Sequence, residues 1–168
     1  MTIEEKVLKM VDLSGLSEYE SSDFAKTYVT VLIQNLVSYV DADITVGPVR
    51  CVDSITLEHE LSQDITGIPG AYSAVDGDAE PLYRFAEKYS GMSVTAFDDF
   101  AKEVILDFLN LHNGLFVVHL SQANICELSL DVPAQGDNKT LKAQKMPGIF
   151  VIPVTFSFGP VNFLFGEN

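Results

Sequence analysis

Apolar positions recur at helical spacing from Phe24 onward, at Phe24, Tyr28, Leu32, Leu36 and Tyr39. Such a repeat lines them along one face of an α-helix. Asp23 can cap this helix, which should end before Asp41, and Gly47-Pro48 marks the turn beyond it. The residues ahead of it read as a helical lead-in, MTIEEKVLKMVD, followed by a polar break at Ser14-Gly15 and Ser17 to Ser22. From Val49 to Glu60 the apolar period shortens to that of a strand, with Val52, Ile55 and Leu57 facing inward. Ile65 to Ala74 reads as the next strand, made irregular or bulged by Gly67, Pro69 and Gly70. After a turn at Asp76-Gly77-Asp78, Leu82, Phe85, Ala86 and Tyr89 form the stripe of a short helix that opens near Pro81 and stops at Gly91.

The segment from Thr95 to His112 is the most strongly patterned. Thr95 followed by Asp98 is a capping signal, and Asn113-Gly114 is a stop. At ~100° per residue, Phe97, Phe100, Ala101, Val104, Phe108 and Leu111 fall on one side and should be buried. Asp99, Glu103, Leu106, Asp107 and Asn110 fall opposite, with Lys102 on a flank. Leu115 to Leu120 and Ile125 to Val132 read as a pair of strands, and Gln135 to Lys145 as an exposed polar connection. Ile149 to Phe158 and Val161 to Phe165 close the chain as a hairpin turned at Gly159-Pro160. This order predicts an α+β fold, a mainly antiparallel sheet with helices on one face. The loose recurrence of helix, strand, strand, helix also allows an internal αββ-type duplication. Residues 1–22 read as an N-terminal extension to a domain over 23–168.

Composition narrows the function classes. The chain has 168 residues, 47% of them hydrophobic and 20% charged, as expected of one globular domain. No apolar run approaches the ~20 residues that span a bilayer, and the first residues lack the apolar stretch of a signal peptide. The expected location is cytoplasmic. A net charge of −14, from 24 acidic against 10 basic residues, repels nucleic acid and anionic membrane and favours a partner with a basic face. Cys51 and Cys126 stand in apolar sequence without pairing or metal-ligand spacing, and read as buried thiols. His59, His112 and His119 are scattered, so no metal site is expected, and His112 should sit as a dipole partner at the end of its helix. Asp76, Asp78 and Glu80 form part of a calcium-loop pattern, but Pro81 interrupts it and a capped turn is the reading. There is no Gly-x-Ser-x-Gly and no phosphate-binding glycine loop.

The polar side of the Thr95 to His112 helix is the remaining candidate. Glu103, Asp107 and Asn110 stand at i, i+4 and i+7, a line about two turns long, with Leu106 exposed among them. Like charges at i, i+4 repel by a few tenths of a kcal/mol, and no Lys or Arg is spaced to neutralise both. The arrangement suits a cation brought by a partner. Surface helices of acidic proteins also carry paired carboxylates for solvation alone, and periodicity does not separate the two readings.

The run Asp107-Phe108-Leu109-Asn110-Leu111-His112-Asn113-Gly114 resembles the signature of the CheC/CheX/FliY chemotaxis phosphatases. That signature is a Glu, an apolar residue, any residue, Asn, an apolar residue, two more and Gly, with an acidic or hydroxyl residue four positions before the Glu. Glu103 occupies that earlier position. The likeness runs from about Asp23 to Phe165, and a single motif copy is closer to CheX, since Leu32 stands where a second acid would precede Asn35. The resemblance implies a phosphatase acting on the aspartyl phosphate of a CheY-type response regulator. Asn110 would orient the attacking water, Asp107 would pair with the regulator's lysine, and Glu103, Asp99 and Leu106 would contact the partner. The chain would need no cofactor of its own, because the Mg²⁺ belongs to the regulator, and a homodimer is implied. Asp107 is one methylene shorter than the family's Glu. That leaves open a non-catalytic regulator-binding module, or a dimeric scaffold whose terminal hairpin pairs across subunits.

Overall fold

The computed structural model describes residues 2–19, 23–68, 70–122 and 127–168. The lead-in is a helix, α1 (Ile3–Leu13), closed by a capping box in which Thr2 and Glu5 satisfy each other's backbone N–H groups. Val7 is buried, and Lys6 Nζ donates to Ala42 O at 2.7 Å, so this helix is tied to the body. The periodic segment after it is α2 (Asp23–Tyr39), with Phe24, Tyr28, Leu32 and Leu36 buried as the pattern predicts, while Tyr39 at its end is exposed. Strands β1 (Thr45–Val46), β2 (Arg50–Val52), β3 (Ser54–Ile68) and β4 (Ala71–Asp76) follow, then α3 (Ala79–Ser90) and α4 (Asp99–Gln122). Gly91, with φ 71°, supplies the left-handed residue that ends α3. Strands β5 (Glu127–Leu130), β6 (Ala134–Lys142), β7 (Ile149–Phe156) and β8 (Gly159–Glu167) complete the chain.

All described pairings are antiparallel, in the order β1-β7-β8-β4-β3-β5, with β2 also on β7 and β6 also on β3. Exchanging β1 with β5, β3 with β7 and β4 with β8 maps this order onto its own reverse, and exchanging β2 with β6 at the same time carries β2 on β7 into β6 on β3. The strand topology therefore has the two-fold form of a duplicated unit, with α2 and α4 as counterparts. The buried residues of the helices and one sheet face form a single core, including Tyr28, Phe85, Phe108, Phe116, Phe163 and Phe165. A smaller cluster of strand residues alone, Leu57, Ala74, Leu141, Ile149, Val151 and Leu164, lies apart from it. The helices thus cover one face of an antiparallel sheet.

Several boundaries differ from the pattern-based expectation. The helix begins not at Thr95 but after Asp98, whose Oδ1 accepts the Ala101 N–H at 2.9 Å. It does not stop at Asn113-Gly114, and Leu115 to Leu120 is helix rather than strand. Phe108, His112, Phe116 and Leu120 are four consecutive i, i+4 positions, all buried. Burying that stripe far outweighs the ~1 kcal/mol a helical Gly costs. Gln135 to Lys145 is not a loose connection, since most of it is β6, paired with β3 from Ser54↔Lys142 to Ser62↔Ala134. Its side chains are mostly exposed, so no apolar alternation announced it. Ile65 to Ile68 belongs to the end of β3, and β4 starts at Ala71, so the glycine-rich stretch separates strands rather than bulging one. The terminal hairpin turns at Ser157-Phe158, two residues early, with Phe156 facing Gly159. Nor is it a free edge: β8 lies between β7 and β4, while β7 carries β1 and β2. Pairing of these strands across subunits is therefore not available. Cys51 is half-buried against the core rather than fully enclosed, and Cys126 and Ile125 lie outside the described residues.

Candidate functional site

Helix α4 by length and mean hydropathy alone resembles a membrane span, but it is a core helix, packed against α2, α3 and the sheet. These neighbours flank it on both sides and leave only a narrow outer stripe. The buried stripe is rotated by about a quarter turn from the expected one, running through Ala101, Ile105, Phe108, Leu109, His112 and Phe116. Two assignments change as a result. Leu106 is only 8% exposed and lies in the core, whereas Phe100, expected inside, is 41% exposed. Leu106 therefore does not present a contact surface. The outer stripe consists of Phe100, Glu103, Asp107 and Asn110, at i, i+3, i+7 and i+10, all exposed. Asp99 is exposed at the first position of the helix, where its charge suits the positive end of the dipole.

Three of these groups differ in how firmly they are held. Asn110 Oδ1 accepts from Gln63 Nε2 at 2.7 Å, and Gln63 is 1% exposed, so the amide is anchored from beneath. Asp107 Oδ2 accepts from the Tyr89 hydroxyl at 3.3 Å. Burial, and then the neighbouring Asp107 charge, push the Tyr89 phenol up to about 12. Among the described residues, none of the ion pairs (Arg84 with Glu80 and Glu87, Lys139 with Glu60) involves Asp99, Glu103 or Asp107. The stripe thus offers two carboxylates, Glu103 and Asp107, to an incoming cation and one fixed carboxamide, with Asp99 beside it at the helix start. Among the described residues no cluster of three His, Cys, Asp or Glu side chains is placed to hold a metal ion. Asp76 is occupied internally, its oxygens accepting the Glu58 and His59 N–H groups at 3.0 and 3.1 Å.

Gln63 was not singled out by the motif, being 47 positions from Asn110. A signal was nonetheless present. Leu61, Gln63 and Ile65 share one face of β3 and are all buried, so period-two reading places an amide where an apolar residue belongs. Asn113, which the sequence suggested as a helix stop, is its partner and donates to Gln63 Oε1 at 2.9 Å.

His112 is not a terminal dipole partner. It lies inside α4, fully enclosed, its ring 4.9 Å from that of Tyr28 and stacked beside Phe108. Its Nδ1 is hydrogen-bonded to the Asn35 side-chain amide, with Nδ2 at 3.0 Å. Asn35, the α2 residue that follows Leu32 by three, is thus buried and engaged in the core. Burial holds the His112 pKa down at about 3, against 6.5 for a free imidazole. An unfolded chain therefore takes up this proton near pH 6.5 while the folded chain does not. Stability from this group is complete above pH 6.5 and is lost as pH falls toward 3, by about 2 kcal/mol at pH 5. Urea titration at pH 7 and pH 5 checks it. The stability gap between the natural chain and His112→Gln should shrink by that amount at pH 5, and parallel losses in the two chains would disprove the assignment.

No family model matches the chain, and no curated protein sequence does. Solved structures do match its fold. A CheC-like superfamily protein from Shewanella sp. PV-4 superposes with TM-score 0.73 at 13% identity, over 89% of this chain and 99% of that one. Chemotaxis protein CheX from Desulfovibrio desulfuricans gives TM-score 0.68 at 17% identity, over 88% and 100%. CheX from Borrelia burgdorferi, solved as a CheX–CheY–BeF3–Mg²⁺ complex, gives 0.66 at 15% identity, over 86% and 97%. The chain therefore has the CheC-like fold along most of its length, as the motif had implied.

Proposed function

We propose that this chain is a cytoplasmic CheX-like phosphatase that hydrolyses the aspartyl phosphate of a CheY-type receiver domain, with Asn110 positioning the attacking water. The observation that carries the reading is the acid–x–x–Asn pair on the exposed stripe of α4: Asp107 and Asn110 are presented outward from a rigid core helix, and the carboxamide is anchored from below. The shared fold with CheX, including one solved with CheY, supports a receiver domain as partner. The net charge of −14 favours the basic surface such a contact requires. The buried Asn35 supports one site per chain, and a homodimer is part of the same reading.

The chemistry asks little of the protein beyond placement. Water attacks phosphorus in line, the P–O bond to the aspartyl carboxylate breaks with its electron pair, and the water's proton leaves with inorganic phosphate. The transition state is loose, so positioning and charge stabilisation dominate. Asn110 can donate to and accept from a water without any shift in pKa. A helix side chain anchored from below holds it more narrowly than a loop would. Asp107 and Glu103 would meet the regulator's lysine, and the Mg²⁺ in this reading is the regulator's own.

A second reading has its own observation. Asp107 is a methylene shorter than the family's Glu and is drawn to Tyr89, which favours a module that binds the receiver without hydrolysis. Phosphate release from acyl-phosphorylated receiver domains of the same organism, with Mg²⁺, separates the two. Acceleration over the receivers' own decay supports the phosphatase; binding without acceleration leaves the sequestering module. Under either reading Asp107→Lys should weaken binding of a BeF3-activated receiver by about tenfold or more, since it sets a cation against a cation. Unchanged affinity in calorimetry would remove the α4 stripe from the interface.

A further inference from the structure

The orientation of the Asn110 amide is decided outside the motif. The Asp131 backbone carbonyl can only accept, so the Gln63 terminal atom 2.9 Å from it is Nε2. That nitrogen has two protons. One goes to Asp131 O, and the other to the terminal atom of Asn110 at 2.7 Å, which must then be Oδ1. The remaining Gln63 atom, Oε1, is an acceptor and meets Asn113 Nδ2 at 2.9 Å. Three carboxamides are thus set in one sense by a backbone group that cannot flip.

From this we infer that Gln63, seated by Asn113 and the Asp131 carbonyl, is a positioning residue that makes Asn110 face outward with its Nδ2 donors. An isolated carboxamide fits the same space either way round, with donor and acceptor interchanged. Only one sense suits a phosphoryl group. Outward N–H groups meet its anionic oxygens and the lone pairs of the attacking water, while the second lone pair of Oδ1 stays free to accept from that water. The flipped amide would turn its carbonyl toward the anionic phosphoryl. Gln63 is 1% exposed, too enclosed to meet a partner itself, so its effect passes through Asn110. The inference deepens the phosphatase reading and rests on it for its kinetic consequence, though not for the amide geometry.

Two measurements test it, one without reference to activity. In the natural chain, the side-chain amide protons of Gln63 should be strongly protected from hydrogen exchange, and the Asn110 amide should be ordered by ¹⁵N relaxation. In Gln63→Met, which keeps the volume and removes the hydrogen bonds, the Asn110 amide should become mobile. Retained order of Asn110 in that variant, or unprotected Gln63 protons in the natural chain, overturns the inference. The second measurement is kinetic and uses the near-isosteric Gln63→Glu. Its ionised carboxyl offers only acceptors and would turn Asn110 round. We expect kcat to fall about tenfold or more with KM and receiver affinity unchanged. The defect should shrink as pH is lowered and the introduced carboxyl regains a proton to donate. A merely structural role would raise KM or lower the melting temperature without that pH-dependent recovery, and would refute the positioning role. If the natural chain shows no phosphatase activity at all, the functional reading fails, and the amide measurement still decides the inference.

Discussion

Asn110→Ala should abolish the acceleration of receiver dephosphorylation, a loss of about 10²–10³-fold in kcat, while the protein stays folded and still binds the activated receiver. The magnitude is that of removing one fixed, charge-stabilising or water-orienting donor from a transition state. The structural cost is small because Asn110 is exposed and the change forms no cavity. It leaves one Nε2 proton of buried Gln63 without its acceptor, worth about 1–2 kcal/mol, while the bond to Asp131 O remains. Single-turnover phosphate release, run beside calorimetric binding of a BeF3-activated receiver, checks both halves. Full activity in the variant would mean that water is placed by another group and that the motif is coincidental here. Lost binding together with lost turnover would make Asn110 a docking residue instead.

Phe108→Ala should destabilise the fold by about 3–5 kcal/mol, the usual cost of removing an enclosed aromatic ring. Phe108 is fully buried and holds four rings together: Phe85 at 5.1 Å, Tyr89 at 5.2 Å, His112 at 6.1 Å and Phe163 at 6.3 Å. They come from α3, α4 and β8, so one substitution loosens the joint between the helical layer and the central strands. Set against the ~5–15 kcal/mol that stabilises an ordinary domain, the loss is large enough to read directly in urea unfolding at pH 7. Phe108 lies between Asp107 and Leu109 but faces inward, away from the stripe. A midpoint shift below about 1 kcal/mol in equivalent would show that the site collapses around the missing ring, and that this joint does not hold the helix in place.

The motif and the core of the fold came from different levels of the chain. Tyr28, Leu32 and Leu36 and the stripe of α3 announced themselves by period, because each helix turns one side to the core, and β7 and β8 by near-continuous apolar runs, because residues on both of their faces are buried. So did the acid–x–x–Asn spacing of Asp107 and Asn110, which is a local helical relation. The polar strand β6 gave no such signal, since its stability comes from ladder hydrogen bonds to β3 and not from buried side chains. Asn113-Gly114 carried a stop signal that was overruled. Propensity there is worth about 1 kcal/mol, and Phe116 and Leu120 bury more than that by continuing the helix.

By itself, then, the sequence determined which segments were amphipathic, the α+β class, the acidic surface and the residues of the α4 motif, all of which follow from contacts a few positions apart. Only the tertiary structure decided the rest. How much of α4 is covered depends on neighbours on both its flanks, which turned the buried stripe by a quarter, took Leu106 inward and left Phe100 outside. Which way the Asn110 amide points depends on Gln63 and the Asp131 carbonyl, brought beneath it by strand pairing from distant parts of the chain. Helical periodicity records the average side of a helix that meets a core; it holds no information about a second neighbour or about a hydrogen bond closed across the fold.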